Sequence, residues 1–313
     1  MNKHLLCTCI LLCGLTACHR VPDQIEPTLN CVVEDRYLHT LPSPFHPLTE
    51  EERSQDWGKE MWLAQRFAQQ LDLYQSIICF KRAEMLIPPE EKGRLLEIQY
   101  EILYSYYIAH KWTDVIYTFE HSALKHADIS FPALRDMLII MYDAYYHEQD
   151  ERQTHRMLQL IQCFFPEEAQ KIYLSNALVS GDIARIETVD PRPGYLNNFL
   201  TTYTLEKKSV GKAQALNAVL PGAGYYYLGQ KQSAITAFLL NGLFIGASTY
   251  FFIDGNIPAG IIFTSFEAGW YFGGIYGGGL EAKYYNERLY ERLTTPMMNQ
   301  EGLFPVLMLN YAF

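Results

Sequence analysis

The sequence predicts an all-α protein: a helical-repeat array, then a hydrophobic, transmembrane-type helical hairpin and a short tail. Three observations carry this. Between Ala213 and Leu280 only Lys231, Asp254 and Glu267 are charged, yet thirteen of the twenty glycines fall there. Apolar residues between positions 63 and 161 recur at a fixed interval of 39. Breaks fall between these stretches, at Pro88 and Pro166, at Pro221 with Gly222, and at Asp254 to Asn256, as helix ends require.

The chain opens with Lys3, an apolar core from Leu5 to Leu15 and then small residues. Those proportions, over 1–17, are those of a signal peptide, too short for an ordinary spanning helix. Leu15, Thr16, Ala17 and Cys18 match the bacterial lipobox, in which a diacylglycerol joins the Cys18 thiol before cleavage on its N-terminal side. His19 follows, which leaves inner and outer membrane both open. Cys7, Cys9 and Cys13 leave with the signal, so Cys31, Cys79 and Cys163 remain. An odd number at wide spacing supports neither a zinc site nor a redox pair; one disulfide is possible, and Cys79 and Cys163 read as packed thiols. Residues 18–49 carry five prolines without an apolar period and read as a tether. Thr49 with Glu52 has capping-box spacing and opens the first helix of a domain over 50–189.

Within that domain Leu63, Ile102 and Met141 share one phase of the interval; Phe67, Tyr106 and Tyr145 a second; Phe80, Phe119 and Leu158 a third; Ala83, Ser122 and Ile161 a fourth. Pro88 and Pro166 close the first and third units, and a shorter fourth unit from Glu167 to about Glu187 would cap the array. These positions resemble the packing positions of a tetratricopeptide repeat, two apolar residues four apart on one helix and two three apart on the next. Neither helix of a pair buries its face alone, so stacked pairs share a core. The chain departs from that family in its longer period and in Leu103 and Tyr142 standing where small residues are expected beside Ala64.

Asp190 to Gly194 marks the domain boundary, and 190–208 reads as a linker and short helix. The membrane hairpin is expected over 209–280. Ser209 caps a helix that Pro221 and Gly222 stop, and the run from Ala234 to Ile253 carries no charge. Its 20 residues span about 30 Å, the thickness of a bilayer's hydrocarbon. Asp254, Gly255 and Asn256 turn the chain into a second apolar run ending near Leu280. Gly242 with Gly246, and Gly269, Gly273 and Gly277, form GxxxG faces expected to pack against each other. Asn241 and Glu267 lie at equal depth and are expected to hydrogen-bond.

The run ALNAVLPGAGYYYLG, with Pro221, Gly222, Gly224 and Gly229, resembles a two-helix membrane domain of uncharacterised bacterial proteins with a Pro-Gly-x-Gly-x-x-Tyr signature. That family commonly carries Gln where this chain has Tyr225. The resemblance implies membrane residence and no reaction; such domains are sometimes found alongside membrane-protein insertion factors. After the hairpin, residues 281–313 are expected to form a tyrosine-rich amphipathic helix to Leu293 and a short strand or packed tail.

Chemistry-bearing motifs fall short. His147 and Glu148 begin an HExxH pattern whose second ligand position holds Glu151. Lys231 is out of register for a phosphate-binding loop. A net charge of −10 without a basic block speaks against nucleic acid. No cofactor or metal is expected. The cations flanking the hairpin would favour the cytoplasm under positive-inside reasoning, whereas the lipobox places them in the periplasm. The sequence thus reads as a lipid-anchored, periplasm-facing envelope protein with membrane lipid and a protein as partners, similar in plan to the tetratricopeptide lipoproteins of outer-membrane protein assembly. The alternative is a membrane enzyme or transport subunit using Glu267.

Overall fold

A computed structural model describes residues 20–31 and 41–313; the expected signal peptide and Cys18 lie outside them. The described residues form helices and no strand. In chain order these are α1 (Glu50–Ser54), α2 (Asp56–Gln69), α3 (Leu73–Leu86), α4 (Lys92–Ile108), α5 (Trp112–Glu120), α6 (Leu134–His147), α7 (Glu151–Phe164) and α8 (Pro166–Val179). There follow α9 (Ile183–Glu187), α10 (Gly194–Glu206), α11 (Val210–Val219), α12 (Ala223–Tyr227), α13 (Lys231–Ile253) and α14 (Ile257–Gln300). Two compact units result: a helix-pair unit of Asn30–Asn176 and Met298–Phe313, and a glycine-rich unit of Met1–Leu29 and Ala177–Met297.

The helix-pair unit begins at the capping box. Glu52 N–H donates to Thr49 Oγ1 at 3.2 Å, and Thr49 N–H donates to Glu52 Oε2 at 2.7 Å, so two otherwise orphaned amides are satisfied reciprocally. The turns joining α2 to α3, α4 to α5 and α6 to α7 place Leu71, His110 and Gln149 at positive φ, each 39 residues from the next. Asp72 and Asp150, the residues after two of these, cap the following helices through Gln75 N–H and Gln153 N–H. The 39-residue interval is therefore written into the backbone as well as into the side chains.

Half of the expected packing positions are buried: Phe80, Ala83, Ile102, Met141, Tyr145 and Ile161. Phe67, Tyr106, Phe119 and Leu158 are half-buried against the same cores. Two depart. Leu63 is 39 % exposed, because α2 turns Trp57, Met61, Ala64 and Ala68 inward, one residue out of the expected phase. Ser122 lies beyond the end of α5 and caps a 3-10 turn, Ala123–His126, by accepting from Leu124 N–H at 3.3 Å; its hydroxyl competes for the amides that would prolong the helix. Cys79 is buried as expected of a packed thiol, but Cys163 is exposed, and both are free, as is Cys31.

The C-terminal tail belongs to this unit's core and forms a 3-10 turn, Pro305–Met308, in place of the strand weighed as one option. Met308, Leu309 and Ala312 are buried with α4 and α6, and the Phe313 ring lies 4.7 Å from that of Tyr104. Asp136 Oδ2 accepts the amides of Asn310 at 2.7 Å and Tyr311 at 2.9 Å.

Nor are the described parts of the expected tether free. In the helix-pair unit, Phe45 packs on Tyr100 and Phe131. In the glycine-rich unit, Val21 is buried with Val210, Ala213, Leu228 and Ala282. Glu26 N–H and Thr28 N–H donate to the carboxylates of Glu287 and Glu291, at 2.9 and 2.7 Å. Extended proline-containing chain has unpaired amides, and two α14 carboxylates supply the acceptors.

Candidate functional site

The site grows from the loop between α11 and α13. Pro221 ends α11, and Gly222 reverses the chain at a φ of +92°, where a Cβ would collide with the Ala234 carbonyl. Gly224 opens the short α12 so close to α11 that a Cβ would meet the Ala213 carbonyl and the Asn217 side chain. Glycine at these two positions is thus required by geometry, once for backbone conformation and once for approach.

Asn217, 2 % exposed, is the centre of this arrangement. Its Oδ1 accepts Gly224 N–H at 2.7 Å, and its Nδ2 donates to the Gly274 carbonyl at 2.7 Å, so one side chain ties the motif loop to α14. Tyr271 Oη adds a hydrogen bond to the Ala218 carbonyl. At the outer edge, Gln230 Nε2 donates to Glu281 Oε2 at 2.7 Å, and the Lys208 and Lys212 ammonium groups stand over the Tyr227 ring at 5.2 and 4.9 Å.

From this knot α13 and α14 diverge around a cavity of about 930 Å³, walled by Pro221, Asn241, Phe266, Gly269, Trp270 and Glu281 among others. The helices meet instead along a narrow seam. The residues α13 buries are Ala234, Asn241 and Ser248, seven apart. Ser248 Oγ lies 2.6 Å from Thr264 Oγ1, and the Phe251 and Phe263 rings stack at 5.2 Å.

Three expectations are corrected here. Asn241 does not bond Glu267: its Nδ2 donates to the Ala237 carbonyl of its own helix, while Asn241 Oδ1 and Glu267 Oε2 are buried without partners. The GxxxG faces do not pack on each other, since a Cβ on Gly242, Gly246, Gly269 or Gly273 would meet nothing within 4 Å. The seam passes through Asn241 and Ser248, which turns those glycines aside; Gly277 alone of the set is approached, by Tyr225 Oη. Finally, the second apolar run and the amphipathic helix expected after it to Leu293 are one helix, α14, of 44 residues to Gln300. Within it, a Cβ on Gly277, Gly278 or Gly279 would meet Tyr225, Asn217 or Gln214 in turn.

Sequence reasoning missed Asn217. The available signal was a lone amide in the apolar run ALNAVL, seven residues before Gly224. Among the described residues α13 is the one helix long and apolar enough to cross a membrane. None of the His, Cys, Asp and Glu side chains described is grouped in threes to hold a metal, and His147 stacks on Trp112 at 4.4 Å. No family model, curated protein or solved structure matches this chain.

Proposed function

We propose that the chain is a lipid-anchored envelope adaptor: its glycine-rich unit sits in a membrane, and its helix-pair unit, read as a tetratricopeptide-like array, grips a protein partner. The observation that carries the membrane half is an inversion of polarity on α13. Its buried seam holds Asn241 and Ser248, while Phe238, Leu239 and Leu243 are 53 %, 62 % and 64 % exposed. Water would favour the reverse; hydrocarbon favours apolar side chains outside and small or polar ones between helices.

The lipid anchor fits the same picture. Val21 is buried beside Leu228 and Ala282, at the base of α13. At most about 7 Å of chain separates Cys18 from Arg20, so a diacylglycerol there would enter lipid where α13 enters it. Lys208, Lys212 and Tyr227 at that base suit a headgroup layer. The adaptor half rests on stacked helix pairs with exposed tyrosines such as Tyr117 and Tyr146.

The test is a photo-crosslinking amino acid at Tyr117 or Tyr146 in cells, with a second at Leu205 as control. The adaptor reading expects one discrete protein adduct from the first two positions. Absence of any protein adduct, together with loss of function in Glu267→Gln, would favour the alternative of a membrane enzyme or transport subunit; the unpartnered Glu267 Oε2 is the observation that keeps that alternative in view.

A further inference from the structure

The helix-pair unit contains a cavity of about 600 Å³ whose wall includes Phe45, Arg94, Glu97, His126, Asp128 and Phe131. That volume lies within the usual range for small-ligand sites. Glu97, on the first half of α4, is 3 % exposed. Its Oε2 accepts from Arg94 Nη1 at 2.6 Å, but its Oε1 is buried with no hydrogen-bond partner.

Arg94 has nothing further to give. Its Nε donates to Glu52 Oε1 at 2.8 Å, and its Nη2 to Glu52 Oε2 at 3.0 Å and the Pro47 carbonyl at 3.1 Å. Its Nη1 serves the His46 carbonyl at 2.8 Å besides Glu97. All five guanidinium N–H groups are thereby used. One turn along α4, Glu101 is 1 % exposed and its Oε2 is also unpaired. Glu52 and Glu97 thus share one saturated cation.

A buried carboxylate oxygen without a donor costs about 1–3 kcal/mol or more. The group that would satisfy it carries N–H donors and positive charge and reaches in from the cavity. The walls narrow the choice: Phe45 and Phe131 line the cavity, and against aromatic rings a flat guanidinium packs better than a compact, strongly hydrated ammonium.

We propose that this cavity receives an arginine side chain of the protein partner, its guanidinium donating to Glu97 Oε1 and lying against the Phe45 and Phe131 rings. The proposal rests on the adaptor reading and supplies the chemistry of its partner.

The probe is N-acetyl-arginine amide, with the isosteric but uncharged N-acetyl-citrulline amide as control. Both are added to the full mature chain in detergent micelles during thermal unfolding. The arginine compound at ten times its Kd raises the midpoint by about 3 °C; the citrulline compound leaves it unchanged. Glu97→Gln, which keeps shape and loses charge, abolishes the shift, and Asp128→Asn at the exposed rim weakens binding several-fold while leaving the fold intact. No shift with the arginine compound, an equal shift with citrulline, or an undiminished shift in Glu97→Gln would overturn the site. Adducts at Tyr117 and Tyr146 that persist without arginine binding count against this site alone; arginine binding without any adduct counts against the adaptor reading alone.

Discussion

Replacing Asn217 with Ala removes two buried hydrogen bonds at once. The Gly224 amide loses its acceptor and the Gly274 carbonyl loses a donor, in a place where Asn217 is 2 % exposed and water does not stand in. At about 1–3 kcal/mol for each group left wanting, and with the Gly274 carbonyl still inside a helical ladder, the expected loss is about 2–4 kcal/mol. The natural assay is hydrogen exchange of peptides covering residues 217–229 in the full chain, where that loss reads as exchange faster by about 30- to 900-fold. A second substitution sharpens the test. A Cβ on Gly278 would collide with Asn217 Nδ2, so Gly278→Ala alone is expected to cost about 1–3 kcal/mol. In the double variant that collision is gone, and the combined cost falls short of the sum by at least about 1 kcal/mol. Unchanged exchange in Asn217→Ala, or strict additivity in the pair, would refute the reasoning that one amide holds loop and helix together.

Further outcomes follow for the helix-pair unit. Gln149 is exposed at a φ of 59°, where a side chain costs about 1–2 kcal/mol and glycine's extra entropy loss is about 0.5–1 kcal/mol, so Gln149→Gly raises stability by about 0.5–1 kcal/mol in urea unfolding. Burial pushes the Glu97 carboxyl up from 4.5 to about 7. Between those values the folded chain keeps a proton that the unfolded chain has released. The contribution of this group therefore falls as pH rises through that window, by up to about 3 kcal/mol. Glu97→Gln is accordingly more stable than the parent at pH 8 and equal to it near pH 4; a gap that does not change with pH would contradict the assignment.

Much of the fold was legible because local rules and packing agree. The Thr49 capping box, the Ser209 cap, the uncharged run within α13 and the Asp254–Asn256 turn each combine a residue preference with a chain direction, and the structure uses all of them. The facing of α13 was not legible, for a physical reason. Apolar residues surround this helix, so the pattern fixes its length and no face. The seam falls on Ala234, Asn241 and Ser248, its smaller and more polar members, whereas glycine spacing pointed elsewhere. Long-range partners were equally hidden. Asp136 holds the amides of Asn310 and Tyr311 across 174 and 175 residues, and Arg94 draws Glu52 and the carbonyls of His46 and Pro47 together. Neither arrangement leaves a periodic trace. Asn217 draws its role from proximity to the reversing glycines Gly222 and Gly224, which depth within an apolar run does not reveal.

The central claim is that lipid covers the apolar face of α13, and cysteine accessibility tests it directly. Leu243→Cys and Leu205→Cys are made singly in a chain in which Cys31, Cys79 and Cys163 are replaced. Leu243 and Leu205 are 64 % and 79 % exposed on the protein itself, so protein packing shields neither. In intact membranes opened to the reagent on both sides, a membrane-impermeant maleimide is expected to label position 205 fully and position 243 hardly at all, with labelling at 243 restored once denaturing detergent strips the lipid. Equal labelling of both positions in the membrane would mean that water, and not hydrocarbon, surrounds α13.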